Sequence, residues 1–180
     1  MSRPNPADAV KLVMSLFSPE EALINEALDI LSRSYGEMDF ISPLLDFAYT
    51  DYYAPEMGTK LVRRFVAFGE LIPPEALPDI KLATNTIEAT YTESGKRRLN
   101  IDPGYIALAH LILATGKGYT HRPYLRDGIY ADLTLIFQGG SFQGLPWTYP
   151  DYGSPEVIGM LHKIRGKYLE QLKMLRNMHS

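Results

Sequence analysis

A strand-length apolar run, residues 10–17 (VKLVMSLF), is followed at once by Ser18-Pro19-Glu20-Glu21, and the same succession of strand and helix start returns further along the chain. Ser18 suits an N-cap, Pro19 the first helical position and Glu21 a capping box. A helix over residues 19–34 follows, with Leu23, Ala27, Leu28 and Leu31 at helical spacing and Tyr35-Gly36 ending it. Residues 38–47 read as a second strand interrupted by Pro43, and residues 61–68 (LVRRFVAF) as a third, pairing with it antiparallel. Pro73-Pro74-Glu75 opens a second helix with Leu77, Ile80, Thr84, Ile87 and Tyr91 on one face, and Ser94-Gly95 closes it. Residues 97–101 supply a fourth strand. The order strand, helix, strand, strand, helix, strand is that of a ferredoxin-like split βαβ sandwich.

The later elements extend this start. In residues 102–114 the Asp-Pro opening and the Leu/Ala content of ALAHLILA favour a helix, although Asp-Pro-Gly-Tyr equally suits a turn. Residues 129–137 alternate as a strand, and Gln138-Gly139-Gly140-Ser141 turns them into a hairpin partner around Phe142. Ser154-Pro155-Glu156 caps a final helix whose stripe is Val157, Leu161, Ile164, Tyr168, Leu172 and Leu175. The expectation is one α+β domain over residues 1–180: a mixed or antiparallel sheet, helices mainly on one face, a ferredoxin-like βαββαβ start, then a C-terminal hairpin and helix.

Composition narrows the chemistry. A chain of 180 residues buries roughly 70% of its extended surface and needs no staple. None is available from cysteine, which is absent, and this removes disulfides, thiolate metal sites and a cysteine nucleophile. The apolar run near the start holds Lys11 and Ser15 and is no secretory signal; no stretch reaches membrane-spanning length, so no membrane association and a cytoplasmic location are expected. Residues 1–95 carry seven Lys/Arg against fifteen Asp/Glu, and residues 96–180 carry eleven against six, which points to an anion-binding surface in the second half.

The blocks NIDPGY (100–105), HRPYLRDGIYADLTL (121–135) and PWTYPDYGSP (146–155), with Thr50-Asp51-Tyr52-Tyr53 and Met57-Gly58, resemble the prokaryotic family called domain of unknown function 4416. The resemblance spans nearly the whole chain. It implies no particular catalytic residue, so the chemistry has to come from the side chains.

A phosphorylated small ligand, most simply a nucleotide, is the leading expectation. Arg64, Arg98, Lys117, Arg122 and Arg126 offer charge-assisted donors, and Gly116, Gly118 and Gly128 leave backbone amides accessible. Neither Gly116-Lys117-Gly118 nor Gly58-Thr59-Lys60 completes a P-loop, which argues against classical GTPase machinery. Tyr130 and Asp127 complete the expected binding set, and Trp147 with Tyr149-Pro150-Asp151-Tyr152 suits an aromatic platform. Any catalysis would be Mg2+-dependent phosphoryl or nucleotidyl transfer, with the cation on Asp102, Asp127 or Asp132 and His121 moving the proton. Asp132 suits an ion pair with Arg64 of the third strand better than a cation site. His110 reads as a packed residue, and His162 and His179 have no suggestive neighbours. Replacing Arg122 by Ala is expected to remove binding at near-normal stability. The competing reading is an RNA- or protein-interaction module using Trp147 and the basic final helix, with Lys163, Arg165, Lys167, Lys173 and Arg176.

Overall fold

The computed structural model describes residues 1–48 and 51–178, so Thr50 and His179 lie outside the described residues. The chain runs β1 (Val10–Ser18), α1 (Glu21–Tyr35), β2 (Met38–Ile41), β3 (Leu45–Phe47), α2 (Ala54–Met57) and β4 (Leu61–Ile72). A 3-10 turn (Pro74–Ala76) leads into α3 (Leu77–Thr90), then β5 (Thr92–Glu93), β6 (Lys96–Arg97), β7 (Asn100–Ile106) and β8 (His110–Thr115). The last elements are β9 (Tyr124–Arg126), β10 (Ile129–Gln138), β11 (Ser141–Gly144) and α4 (Pro155–Met178). The fold is α+β, built on one antiparallel sheet in the order β11-β10-β8-β7-β1-β4-β2, with β3 added on β4, β9 on β10, and β5–β6 as a separate hairpin.

Strand alternation sends successive β1 side chains to opposite faces. Leu12, Met14 and Leu16 meet Ile24, Ala27 and Leu31 of α1 and Ile80 of α3 on one face. Val13, Phe65, Ala67 and Ile106 meet Val157, Leu161, Ile164, Tyr168 and Leu172 of α4 on the other. Each such fully buried aliphatic contributes about 1.5–3 kcal/mol by leaving water. Because both faces are covered, β1 is buried along its whole length and reads as a continuous apolar run rather than an alternating one.

Three expectations are corrected. Residues 102–114 form no helix: Asn100–Ile106 and His110–Thr115 are two antiparallel strands. Burial on both sides of a central sheet position overrides the Leu/Ala propensity. Pro103 stands opposite Met14 of β1, and the β8 ladder begins only at Gly104, so the proline sits where one edge of β7 is uncovered. A Cβ at Gly104 would collide with the Ile112 carbonyl oxygen, so only glycine lets the two strands close there. Secondly, α1 starts at Glu21 rather than at Pro19, because β1 runs through Ser18. The Ser18 hydroxyl accepts from the Glu20 N–H (3.0 Å) and donates to the Arg98 carbonyl (2.7 Å). Thirdly, Ser94-Gly95 does not close α3, which ends at Thr90; it is the two-residue turn of the β5–β6 hairpin, with φ of 50° and 75°.

Candidate functional site

β7 and β8 diverge past Gly104. Residues 100–103 stay on β1, while Ala114 and Thr115 pair with Ala131 and Tyr130 of β10. The gap between them opens a cavity of about 600 Å³, inside the usual ligand-pocket range of about 300–1,000 Å³. Lys81, Asn85 and Glu88 of α3 stand beside β7 on one wall, and Thr115, Lys117, Arg122 and Asp132 form the other. Phe17, Phe47, Tyr53 and Tyr152 supply aromatic surface between them.

The floor is a buried ion pair. Arg63 of β4, 3% exposed, pairs with Asp151, 6% exposed, and its Nε donates to Ser15 Oγ (2.6 Å). The rings of Phe47, Phe65 and Tyr152 surround the guanidinium carbon at 4.7, 4.4 and 5.0 Å. These contacts return part of the cost of taking a cation out of water. Burial pushes the Tyr53 and Tyr152 phenols up, so both are neutral hydrogen-bonding groups at physiological pH.

The α3 side is a connected polar wall. Arg97 donates to both Glu56 carboxylate oxygens (2.8 and 3.0 Å), reaches Glu88 at 3.4 Å and donates to Asn100 Oδ1 (3.1 Å). Hydrogen bonding from Arg97 holds the Glu56 carboxyl below the usual range. Asn100 Nδ2 in turn donates to Asp102 Oδ2 (2.9 Å). Lys81 donates to the Ile101 carbonyl (3.0 Å) with its Nζ 3.9 Å from Asp102 Oδ1. Glu88 accepts from the Ile101 N–H (2.7 Å) and is 5% exposed; desolvation pushes its carboxyl up against the opposing pull of Lys81 and Arg97.

The β8–β10 side carries Lys117 and Arg122. Lys117 is exposed and donates to the Tyr52 hydroxyl (2.7 Å), which draws that phenol down. Arg122 Nε donates to Asp132 Oδ2 (2.7 Å), and its Nη2 lies 3.4 Å from the Tyr149 hydroxyl. Asp132 is buried, so Arg122→Ala is expected to leave that carboxylate without its closest cation and to lower stability as well as binding.

Of the residues singled out in the sequence, Asp102, Lys117, Arg122 and Asp132 come together in the cleft. Asp132 pairs with Arg122 rather than with Arg64, which correction follows from strand parity: Arg64 faces the opposite side, donating to Glu21 (2.9 Å) and to the Ser42 carbonyl (2.8 Å). Arg98 pairs with Glu20 and Glu93 outside the cleft. His121 stands behind the wall, 3.5 Å from Asp132 and stacked on Trp147 at 4.8 Å, and Trp147 is itself pinned by its indole N–H donating to the Leu133 carbonyl (2.8 Å). Tyr130 packs edge-on against Tyr124, and Asp127 (φ 54°) is a turn residue with Gly128 between β9 and β10, paired with Arg126. Asp127 is therefore not beside Asp102 or Asp132, and no three His/Cys/Asp/Glu side chains converge on a metal position among the described residues. On α4, Arg165 lies over Phe137 and donates to the Leu108 carbonyl, while Arg176 faces Asp8. His162 has neighbours after all, with its Nε2 3.2 Å from Ser141 Oγ.

Sequence reasoning missed Arg63, Arg97 and Glu88, and named Asp151 only within an aromatic platform, not as the partner of Arg63. One signal was available: Lys81, Asn85 and Glu88 recur at i, i+4 and i+7, which places three polar side chains along one helix face. The second half's excess of positive charge does not concentrate in the cleft, where five cations meet four carboxylates.

The class that the fold and cleft define is an α+β protein with an aromatic-walled, charge-balanced pocket at the end of an antiparallel sheet. The family model described as domain of unknown function (DUF4416) matches residues 8–168, and the chain belongs to that family. No curated protein and no solved structure matches it. Among the described residues, no helix is long and apolar enough to cross a membrane.

Proposed function

We propose that the cleft binds a phosphorylated small molecule of nucleotide type, in the cytoplasm, with its anionic end between Lys117 and Arg122 and its planar part against the aromatic walls. The observation that carries this reading is the state of the cations. Arg63, Lys81, Arg97 and Arg122 each face a carboxylate, whereas the exposed Lys117 is held by a phenol. Among the described residues Lys117 forms no salt bridge with a carboxylate and feels Glu56 only through space, and such an ammonium at a cleft mouth is a ready donor to a phosphate oxygen. Tyr52 and Tyr149, 63% and 57% exposed, flank that mouth and offer flat faces with hydroxyl handles. The strand order β7-β1-β4-β2, with α1 and α3 on one face, supports reading the first half as ferredoxin-like.

The test is a thermal-shift screen against nucleoside mono-, di- and triphosphates and sugar phosphates, at fixed ionic strength, with and without Mg2+. A ligand at 100 times its Kd adds roughly 2.7 kcal/mol of stability. Lys117→Ala is the diagnostic variant, because the side chain is exposed and its loss strands no buried charge. A shift present in the parent protein and lost in that variant is expected; a flat screen would overturn the reading.

A further inference from the structure

Resting on that reading, we propose that the β7–α3 wall recognises the hydroxyl groups of the ligand's sugar, so that the cleft selects ribosylated phosphates over 2′-deoxy or sugar-free ones. The centre of this wall is Asp102, whose side chain remains 31% exposed toward the cavity while being held from two directions. Asn100, buried at 4%, donates to its Oδ2, and the same amide is oriented by Arg97 donating to Asn100 Oδ1. Lys81 stands 3.9 Å from Oδ1. A carboxylate has about four lone-pair sites and no donor, so acceptor capacity remains for groups entering the cleft.

The surroundings decide which donors. A phosphate is repelled by Asp102 and by Glu88 on the same wall. A cationic group is disfavoured because Lys81 and Arg97 already supply positive charge beside the carboxylates. A metal ion lacks a third ligand among the described residues. What remains is a neutral donor, and vicinal sugar hydroxyls are the neutral donors that a phosphorylated ligand presents in pairs. The hydroxyl oxygens can in turn accept from Asn85, whose side chain lines the same wall one helical turn from Lys81 and Glu88. The wall opposite, with Lys117 and Arg122, takes the phosphate, and the two walls together set the ligand's direction.

The experiment is titration calorimetry of the full chain with the four ribonucleoside monophosphates, their 2′-deoxy counterparts, ribose 5-phosphate and inorganic phosphate. Loss of one hydroxyl donating to a charged acceptor weakens binding by about 10-fold or more. The expected result is that penalty for the deoxy ligand in the parent protein, and its disappearance in Asp102→Ala, where ribo and deoxy forms bind alike. The comparison within the parent protein needs no variant to fold. Equal affinity of ribo, deoxy and sugar-free phosphates overturns the sugar assignment while leaving phosphate binding intact. No binding by any of them, inorganic phosphate included, overturns both.

Discussion

Val13 and Ser15 project from the same side of the same strand, two residues apart, into opposite environments. Val13, paired with Ala67 and Gly104, lies under α4 in a wholly apolar cluster. Ser15, paired with Phe65 and Asp102, accepts from Arg63 at the floor of the cleft. The same change runs along β4 from Ala67 to Arg63 and along β7 from Ile106 to Asp102 and Asn100. One sheet face thus has a sealed end, where α4 supplies the cover, and a charged end left for a ligand. The difference comes from where the α4 stripe reaches and from the parting of β8 from β7 past Gly104. The sealed end draws its stability from area removed from water. The charged end has to satisfy every buried group with a partner or lose more than it gains.

The largest effects should come from breaking pairs at the charged end. Asp151→Ala leaves the Arg63 guanidinium buried and uncompensated, and a loss of about 3–5 kcal/mol in denaturant unfolding is expected. Replacing both partners, Arg63→Met with Asp151→Leu, should recover most of that stability, and a double variant as unstable as the single one would show that the pair is worth more than its shape. At the sealed end, Ile164→Ala, at a position with no exposure, should cost about 2–5 kcal/mol by opening a cavity. Its ligand affinity should stay at the parent value, and a parallel loss of affinity would erase the division between the two ends.

The pH response sharpens the contrast further. The Glu88 carboxyl is raised above its ordinary value of 4.5 by burial, so the folded state holds its proton more tightly than the unfolded chain does. That contribution is fully present below about pH 4.5 and is lost as pH rises through the folded value. Stability measured from pH 4 to 8 should therefore fall for the parent protein relative to Glu88→Gln as pH rises; parallel curves would remove Glu88 as the titrating group. The smallest effect belongs to Arg64→Ala. Its pair with Glu21 is on the other face and partly solvated, and a change of roughly 0–1 kcal/mol with unaltered ligand affinity is expected. Any larger loss of affinity would mean that the cleft extends through the sheet.

The Arg63 and Arg64 contrast also marks what was legible in the sequence. In LVRRFVAF both alternating sets are apolar apart from their arginine, because α4 covers one and α1 the other, so parity could not choose between the two. The same one-residue ambiguity separates Arg97, inside the cleft, from Arg98, outside it. The Gly139-Gly140 hairpin and the α4 stripe as far as Leu172 were readable because each rests on local turn chemistry or a long period, whereas Leu175, expected in that stripe, is 39% exposed. Asp102, Lys117, Arg122 and Asp132, each singled out in the sequence, line one cleft, but their partners are not readable there, since those depend on β7 and β8 being strands that separate. Asp127 sits with Gly128 in the turn between β9 and β10, a placement that its Asp-Gly sequence favours over a site in the cleft. Several blocks that carry the family resemblance contribute to the cleft, through Tyr52, Asn100, Asp102, Arg122, Asp132 and Tyr149.

The central place of β1 has a consequence for how the chain is made. Lys11 pairs with Leu71 on one side and with Ile106 on the other, so β1 is synthesised before both of its partners and is completed only once β7 has followed. At about 5–20 residues per second, ribosomal synthesis leaves this strand without its second partner for several seconds at least. An exposed apolar strand is an invitation to aggregate, and a charge within it is the usual safeguard. Lys11 supplies such a charge to the unpaired segment, and in the folded chain it has no exposure and ties β1 to β2 and α4 through Asp39 and Gln171.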